Sequence, residues 1–456
     1  MVVDSEQNID YINDEAFLST RTTEERSSDA IYNLGCLLRG VGKSIATVED
    51  RVSWNFLLVR LNRLPDEVLS LILGYVSNIF EEALRLSHVC SRFRSVLLSS
   101  PHAWNFVLET SMNSQHITAI LARSGNLPLK VEVVSGYERG FGLLSETEQN
   151  NFEKILAQSG RVAELDFPDM SVDCSQQILN LYPTVHLPAL RKLSVTYDMQ
   201  TINKSFSHFY ASWVLPNVEQ LCTTGFVPQP NLATNITYCS LRHQSAFDIF
   251  ALAEFIGMAS SLRDLTLELG AITDTATGSP KVLLPLVTNT SIVSLNLSEL
   301  QQCSPLPWMI GCIRLPNVID MSLTIYKKPT VPFLFNVPKL KNLSIKVEYS
   351  LRILPFRSIL RYAPQCLTSL SLRSNMSRVS WEEDRERTML PRLRTLRFFR
   401  CNCMNKDNLK AVRAEFLKDG VEIERVEVVK CGGRIGRGGQ RDLRDAFPKS
   451  DVCWKS

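Results

Sequence analysis

Over most of the chain the apolar residues fall into one short phrase, apolar-x-x-apolar-x-apolar, and the phrase returns. It is present as Val162/Leu165/Phe167, Leu190/Leu193/Val195, Leu262/Leu265/Leu267 and Ile292/Leu295/Leu297. It continues as Val318/Met321/Leu323, Leu340/Leu343/Ile345, Leu367/Leu370/Leu372, Leu393/Leu396/Phe398 and Ile423/Val426/Val428. Weaker copies stand at Val218/Leu221/Thr223 and Ile236/Cys239/Leu241. The alternation inside each copy predicts a β-strand with one buried face. The middle residues of successive copies lie 18 to 30 residues apart.

That spacing overlaps the period of leucine-rich repeats, about 20–29 residues, at its long and irregular edge. Leu187-Pro188, Leu215-Pro216, Leu315-Pro316, Val337-Pro338 and Leu390-Pro391 each precede a copy. A proline there ends a helix and starts an extended segment. Helices are expected between strands, at Phe247–Met258 and Leu354–Tyr362, and Leu129-x-Val131-x-Val133 reads as an earlier strand leading into the array. The fold class is therefore α/β, an irregular leucine-rich-repeat solenoid with a curved parallel sheet. The rival is a non-repetitive α/β domain whose strands fall at these spacings by chance.

If the pattern residues face the core, their neighbours face away. The outward column reads Asp166, Ser194, Cys222, Ser240, Thr266, Asn296, Ser322, Ser344, Ser371, Arg397 and Glu427. A second column runs from Glu164 and Lys192 through Tyr238 and Asp264 to Thr395 and Arg425. On the concave face, Ser194, Thr266, Asn296, Ser322, Ser344, Ser371, Arg373 and Arg397 are the expected substrate-binding residues. The asparagine ladder of regular leucine-rich repeats is missing from the sequence pattern, so irregular turns are expected.

The period changes between Leu61 and Val107. Pro65 suits the first turn of a helix, where its missing N–H costs nothing, and Asp66 and Glu67 complement the positive helix end. Leu69, Ile72, Leu73 and Val76 recur at i, i+3, i+4 and i+7, while Val68, Leu71 and Tyr75 make a second apolar face. Two faces ask for two burial partners, one inside the module and one outside it. Leu86, Val89, Cys90 and Phe93 repeat the spacing and predict a second helix, and Trp104 closes the core from a short third one. So small a unit buries little surface and is marginal alone.

Leu64-Pro65-x-Glu67-Val68-Leu69-x-x-Ile72-Leu73, then Leu86-x-x-Val89-Cys90-x-x-Phe93-Arg94, then Ser100-Pro101-x-x-Trp104, resembles an F-box. The wording is closest to F-box-like proteins of mushroom-forming fungi, which join this module to a leucine-rich-repeat-like body. Phe93 stands where the family usually has Trp. The resemblance implies binding to the Skp-like adaptor, and through it a cullin, of an SCF-type ubiquitin ligase. It assigns adaptor binding to Leu64, Pro65, Glu67, Val68, Leu69, Leu71, Ile72, Val89 and Phe93. An amphipathic helix pair that packs only within the chain is the plainer reading of the same residues.

Composition changes this picture little. The 456 residues are 45% hydrophobic and 21% charged, with a net charge of +3, too small to argue for nucleic acid or a membrane as partner. MVVDSEQNID has neither a basic nor an apolar signal region, and no window of 18 uncharged apolar residues exists to span a membrane. The 12 cysteines are scattered, which fits reduced thiols in a cytoplasmic or nuclear protein. Gly40-Val-Gly42-Lys43-Ser44 lacks the earlier glycine of a phosphate loop, Leu37 standing there. Cys401-x-Cys403 with Cys431 lacks paired zinc spacing. No histidine pair has metal-ligand spacing, and no G-x-S-x-G elbow is present. No catalytic residue, metal or cofactor is therefore expected, nor enzyme activity. Arg373, Arg392, Arg394, Arg397 and Arg400 make the late repeats locally basic. Either they are solvated rim charge, or they recognise an acidic or phosphorylated segment.

The expected organisation is a disordered acidic segment at 1–44, an F-box-like module with a lead-in helix at 45–110, the repeat body at 111–430, and a flexible Gly/Arg-rich tail at 431–456. The expected function is a substrate receptor that joins an adaptor to an unknown substrate protein. The alternative is a repeat-based scaffold for protein or RNA with no ubiquitin role, its tail CGGRIGRGGQR being the RNA-like feature.

Overall fold

The computed structural model describes residues 61, 63–76, 80–107, 112–134, 143–197, 209–243, 249–269, 287–299, 313–325, 337–347, 353–355, 363–374, 378–380, 391–401, 406–429, 431 and 439–455. The expected disordered segment, the lead-in helix and Gly40–Ser44 lie outside them, as does the glycine-rich run 432–438. The chain divides into two compact units, Met1–Val131 and Glu132–Ser456.

In the first unit, Leu69 N–H donates to Pro65 O at 3.0 Å and opens α1 (Asp66–Val76), with Asp66 and Glu67 in its first turn. Leu69, Ile72 and Leu73 are buried. They pack against α2 (Phe80–Ser87) and α3 (Ser91–Leu98), whose Ala83, Phe93, Val96 and Leu97 complete the core. The single second helix expected from Leu86 to Phe93 is two helices. Chain direction changes at His88–Cys90, where Cys90 is extended (φ −157°, ψ 166°). Its Sγ accepts from Phe93 N–H at 3.4 Å, a cap that starts α3 afresh. The i+3 and i+4 spacing runs across this break of three residues, which a helical period does not register.

A 3-10 turn over Pro101–Trp104 follows. Trp104 is buried, and its Nε1–H donates to Leu97 O at 2.8 Å. Beyond it, β1 (Phe106–Val107) pairs in parallel with β2 (Leu129–Glu132), placing Val107 beside Val131. Between them lies α4 (Ser114–Arg123), which buries Ile117 and Ile120, and the Arg123 guanidinium lies 4.5 Å from the Trp104 ring centroid.

The second unit opens on α5 (Glu146–Leu156). Its capping box joins Ser145 and Glu148 in both directions. Twelve parallel strands then follow one another in sequence order. They are β3 (Val162–Met170), β4 (Lys192–Tyr197), β5 (Gln220–Thr224), β6 (Tyr238–His243), β7 (Asp264–Leu269) and β9 (Ser294–Glu299), then β11 (Asp320–Ile325), β12 (Asn342–Val347), β14 (Ser369–Ser374), β16 (Thr395–Phe399), β17 (Arg425–Val429) and β18 (Asp451–Lys455). Short strands pair beside this ladder, β8 (Val287–Thr288) with β10 (Ile313–Arg314) and β13 (Ile353–Pro355) with β15 (Arg378–Ser380). The helices are α6 (Val172–Leu181), α7 (Ile249–Met258), α8 (Lys406–Lys418) and α9 (Gly439–Ala446). The helix expected at Leu354–Tyr362 begins instead as strand β13, and 356–362 lie outside the described residues.

The register aligns every copy of the phrase. Leu165, Leu193, Leu221, Cys239, Leu265 and Leu295 stand side by side, followed by Met321, Leu343, Leu370, Leu396 and Val426. All are at most 4% exposed, so the ladder has one continuous apolar side. Parallel strands buried in this way need the pattern residues in identical phase, since a slip of one residue would turn the whole set outward. At most turns, one carbonyl accepts two successive N–H groups of the next strand's approach: Arg263 O takes Val293 and Ser294, and Ile319 O takes Lys341 and Asn342.

Two expectations are corrected. A partial asparagine ladder is present at the residue just before the first apolar position of the phrase. Asn217 Nδ2 donates to Pro188 O at 2.7 Å, Asn235 to Pro216 O at 2.7 Å, and Asn317 to Thr290 O at 2.6 Å. Cys366 Sγ takes the same place against Pro338 O at 2.9 Å. The ladder escapes a pattern search because Asn alternates with other residues at that position. Part of the expected flexible tail is also folded. Residues 439–446 are helix α9, and β18 pairs with β17, setting Val452 beside Val426. Leu443, Ala446 and Phe447 are buried, and that apolar burial orders the segment.

Candidate functional site

Two surfaces in the described residues carry chemistry for binding, and each belongs to a different unit.

The first is the outer face of α1. With Leu69, Ile72 and Leu73 turned inward, Val68 and Leu71 are left 41% and 65% exposed. Pro65 and Glu67 are exposed beside them, and Leu64 is half-buried. The start of this helix is tied down. Arg92 from α3 reaches Leu64 O at 2.5 Å and Asp66 Oδ1 at 2.6 Å, and Ser70 Oγ donates to Ser100 Oγ at 2.8 Å. The exposed apolar pair is therefore presented on a helix held at both its N-terminus and its flank. Of the residues assigned to adaptor binding, Leu69, Ile72 and Phe93 are core: 0%, 6% and 0% exposed. They pack inside the module, beneath the exposed pair Val68 and Leu71. Val89 is half-buried in the turn between α2 and α3. The usual Trp of the family would stand at a fully buried position, and Phe93 fills it.

The second surface is the outward side of the ladder. Ser194, Thr266, Asn296, Ser322, Ser344, Ser371 and Arg397 do form one column in register, as the phrase predicts. Asn296 is exposed and the others are half-buried. Small hydroxyls occupy much of this column, with Asp166 at its start and Arg397 and Glu427 at its end. Lys192 faces Glu164 at 3.8 Å and Arg242 faces Glu268 at 3.1 Å. Asn342 Nδ2 donates to Asp320 Oδ1 at 2.6 Å.

The late repeats are basic, but their arginines fall into two groups. Arg397 and Arg425 both reach Glu427, at 2.6 Å each, and Arg394 lies 3.6 Å from Glu424. Burial pushes the Glu427 carboxyl up, yet hydrogen bonds and charge from Arg397 and Arg425 outweigh it and hold the group below its ordinary range. The second group is Arg373 and Arg400. Their guanidiniums lie 5.1 Å and 5.5 Å from the centroid of the Phe399 ring. Sequence reading marked both arginines as basic and missed Phe399, since an aromatic at a strand end reads as packing.

Among the described residues no group of three or more His, Cys, Asp or Glu could hold a metal ion. Burial pushes Cys239 well up and Cys174 to about 12. Cys431 is held below its ordinary value by its hydrogen bond with Cys401. Among the described residues no helix is long and apolar enough to cross a membrane.

A tethered helical module with an exposed apolar helix face, in a chain that also carries a long parallel repeat ladder, is the build of a binding protein. The F-box-like family model matches residues 61–109, the stretch that contains α1, α2, α3 and the Trp104 turn. The chain carries an F-box-like domain there. No curated protein matches the chain.

Proposed function

We propose that this protein is a non-catalytic substrate receptor of an SCF-type cullin–RING ubiquitin ligase. The F-box-like domain binds the Skp-like adaptor, and through it the cullin, while the ladder face holds a substrate protein. The observation that carries this reading is the Val68–Leu71 face of α1, apolar and solvent-facing within a matched F-box-like domain. The resemblance to fungal F-box-like proteins with repeat bodies supports the same assignment. The chemistry would come from proximity. A tethered substrate meets a loaded ubiquitin-conjugating enzyme at raised effective concentration, so no residue of this chain performs a covalent step.

The test is co-purification of the full chain with a Skp-like adaptor. Association that survives 0.5 M salt, about the ionic strength that screens exposed charge pairs beyond a few ångströms, is the expected result for an apolar face. A folded chain that does not associate refutes the assignment.

A further inference from the structure

We infer that Cys401 and Cys431 form an oxidation site for hydrogen peroxide, where they close to a disulfide that fastens the chain between them to the ladder. The inference is independent of the ligase assignment.

The ladder brings the two cysteines together. Phe399 at the end of β16 is paired with Val429 at the end of β17, and a cysteine follows each of them two residues later. Neighbouring strands lie about 4.8 Å apart, inside the Cα separation of about 4.4–6.8 Å that a disulfide spans. After Phe399 the chain bends. Arg400 has a φ of +51°, the left-handed region that non-glycine residues seldom enter. Its N–H donates to Val429 O at 2.9 Å, which holds the bend. The next N–H, that of Cys401, then meets sulfur where a ladder would offer a carbonyl. It donates to Cys431 Sγ at 3.2 Å, and the Cys401 side chain hydrogen-bonds the same sulfur.

Cys222 and Cys239 show what this placement adds. They also sit on adjacent strands, β5 and β6, but Cys222 is in register with Ser240 and Cys239 with Leu221. One is therefore on the outward side and the other on the core side of the sheet. Cys401 and Cys431 are both buried, at 3% and 8% exposed, and they face each other.

The thiolate is the reactive form of cysteine. Hydrogen bonds from the Cys401 thiol and N–H outweigh burial and hold Cys431 below its ordinary value, so charge on that sulfur is favoured. Cys431 is also the more exposed of the two, and it is the sulfur that a small oxidant meets first. Its thiolate attacks one oxygen of hydrogen peroxide. An S–O bond forms, the O–O bond breaks, and hydroxide leaves and takes up a proton. The Cys401 thiol then gives up its proton and attacks the sulfenic sulfur of Cys431. An S–S bond forms, the S–O bond breaks, and a second water leaves. Two thiols and one peroxide thus give one disulfide and two waters. The bridge closes a loop that holds α8 and β17, with Leu409, Val412 and Phe416 of α8 in the core. Joining its ends restricts the unfolded segment, so the oxidised form opens less often there.

The experiment treats the full chain, purified under reductant, with a small excess of hydrogen peroxide. Remaining thiols are alkylated under denaturing conditions, and the peptides are mapped by mass with and without reduction. The expected product is an intramolecular Cys401–Cys431 linked peptide, lost on reduction, with Cys174 and Cys239 still alkylated. Amides of α8 and β17 should then exchange roughly 30-fold or more slowly than in the reduced chain. Cys401→Ser should stop at a sulfenic acid on Cys431, trapped by dimedone, and Cys431→Ser should leave Cys401 reduced. Unfolding curves establish that both variants are folded, and the mapping on the unmodified chain needs neither of them. Full alkylation of Cys401 and Cys431 after peroxide overturns the proposal. So does a bridge from either one to Cys403, a bridge between two chains, or a Cys401–Cys431 bridge that leaves exchange of α8 and β17 unchanged. Adaptor association is measured separately, so failure of the bridge is distinct from failure of the ligase assignment.

Discussion

Truncating Val68 and Leu71 together should separate docking from folding. Fully burying a Leu or Val side chain is worth about 1.5–3 kcal/mol. Leu71 is 65% exposed, so covering it in a complex gains about 1–2 kcal/mol, and Val68 at 41% adds about 1 kcal/mol. Val68→Ala with Leu71→Ala removes most of that gain, about 2–3 kcal/mol, or roughly 30- to 150-fold in Kd. Stability should hardly change, because exposed side chains away from special contacts usually move it by less than about 0.5 kcal/mol. Leu69→Ala is the contrasting variant. It opens a cavity at a fully buried position and costs about 2–5 kcal/mol of a small module's stability. The assay is calorimetric titration of a Skp-like adaptor into the full chain, with thermal unfolding followed in parallel. A double variant that binds the adaptor as tightly as the unmodified chain refutes the argument. So does one that loses binding only because it has unfolded.

Other outcomes follow from the same contacts. Trp104→Ala should destabilise the first unit by about 3–5 kcal/mol, through lost packing and the lost bond to Leu97 O, read as faster hydrogen exchange of α3 amides. Asn289 is buried, donates to Ile256 O and Ala259 O, and accepts from Ser291 and Ile292 N–H. Asn289→Ala should lower the urea midpoint by an amount equal to about 1–3 kcal/mol or more. Glu427 sits below its ordinary range when folded, so its contribution is fully present above the unfolded value of about 4.3 and is lost as pH falls through the folded value. Glu427→Gln should therefore be less stable than the unmodified chain at pH 7, with the gap closing below about pH 4 in acid-unfolding curves.

The repeat body was largely legible in the linear pattern. Eleven copies of one apolar phrase predicted eleven strands, and Asp166 through Glu427 form the outward column in the order expected. A two-residue period carries its own facing rule, so burial of the pattern residues determines where their neighbours point. The twelfth strand, β18, was missed because Val452 and Trp454 follow a glycine-rich run whose composition reads as linker. The α2–α3 break was missed because helical spacing does not record a turn of three residues. For the F-box-like domain, the sequence held both faces of α1, but it did not say which was core.

What the sequence determined by itself is therefore the period, the strand phase and the presence of two apolar faces on the first helix. These follow from local rules in which each side chain's direction is set by its place in a strand or helix. Tertiary structure alone decided the rest. Packing against Phe93 and Leu97 took Leu69, Ile72 and Leu73 inward and left Val68 and Leu71 facing solvent. Contact between strands 30 residues apart gave Glu427 to Arg397, beside the Arg425 of its own strand. The left-handed bend at Arg400 set it with Arg373 on Phe399. Such pairings depend on which distant residues the ladder brings side by side, a quantity that no local periodicity encodes.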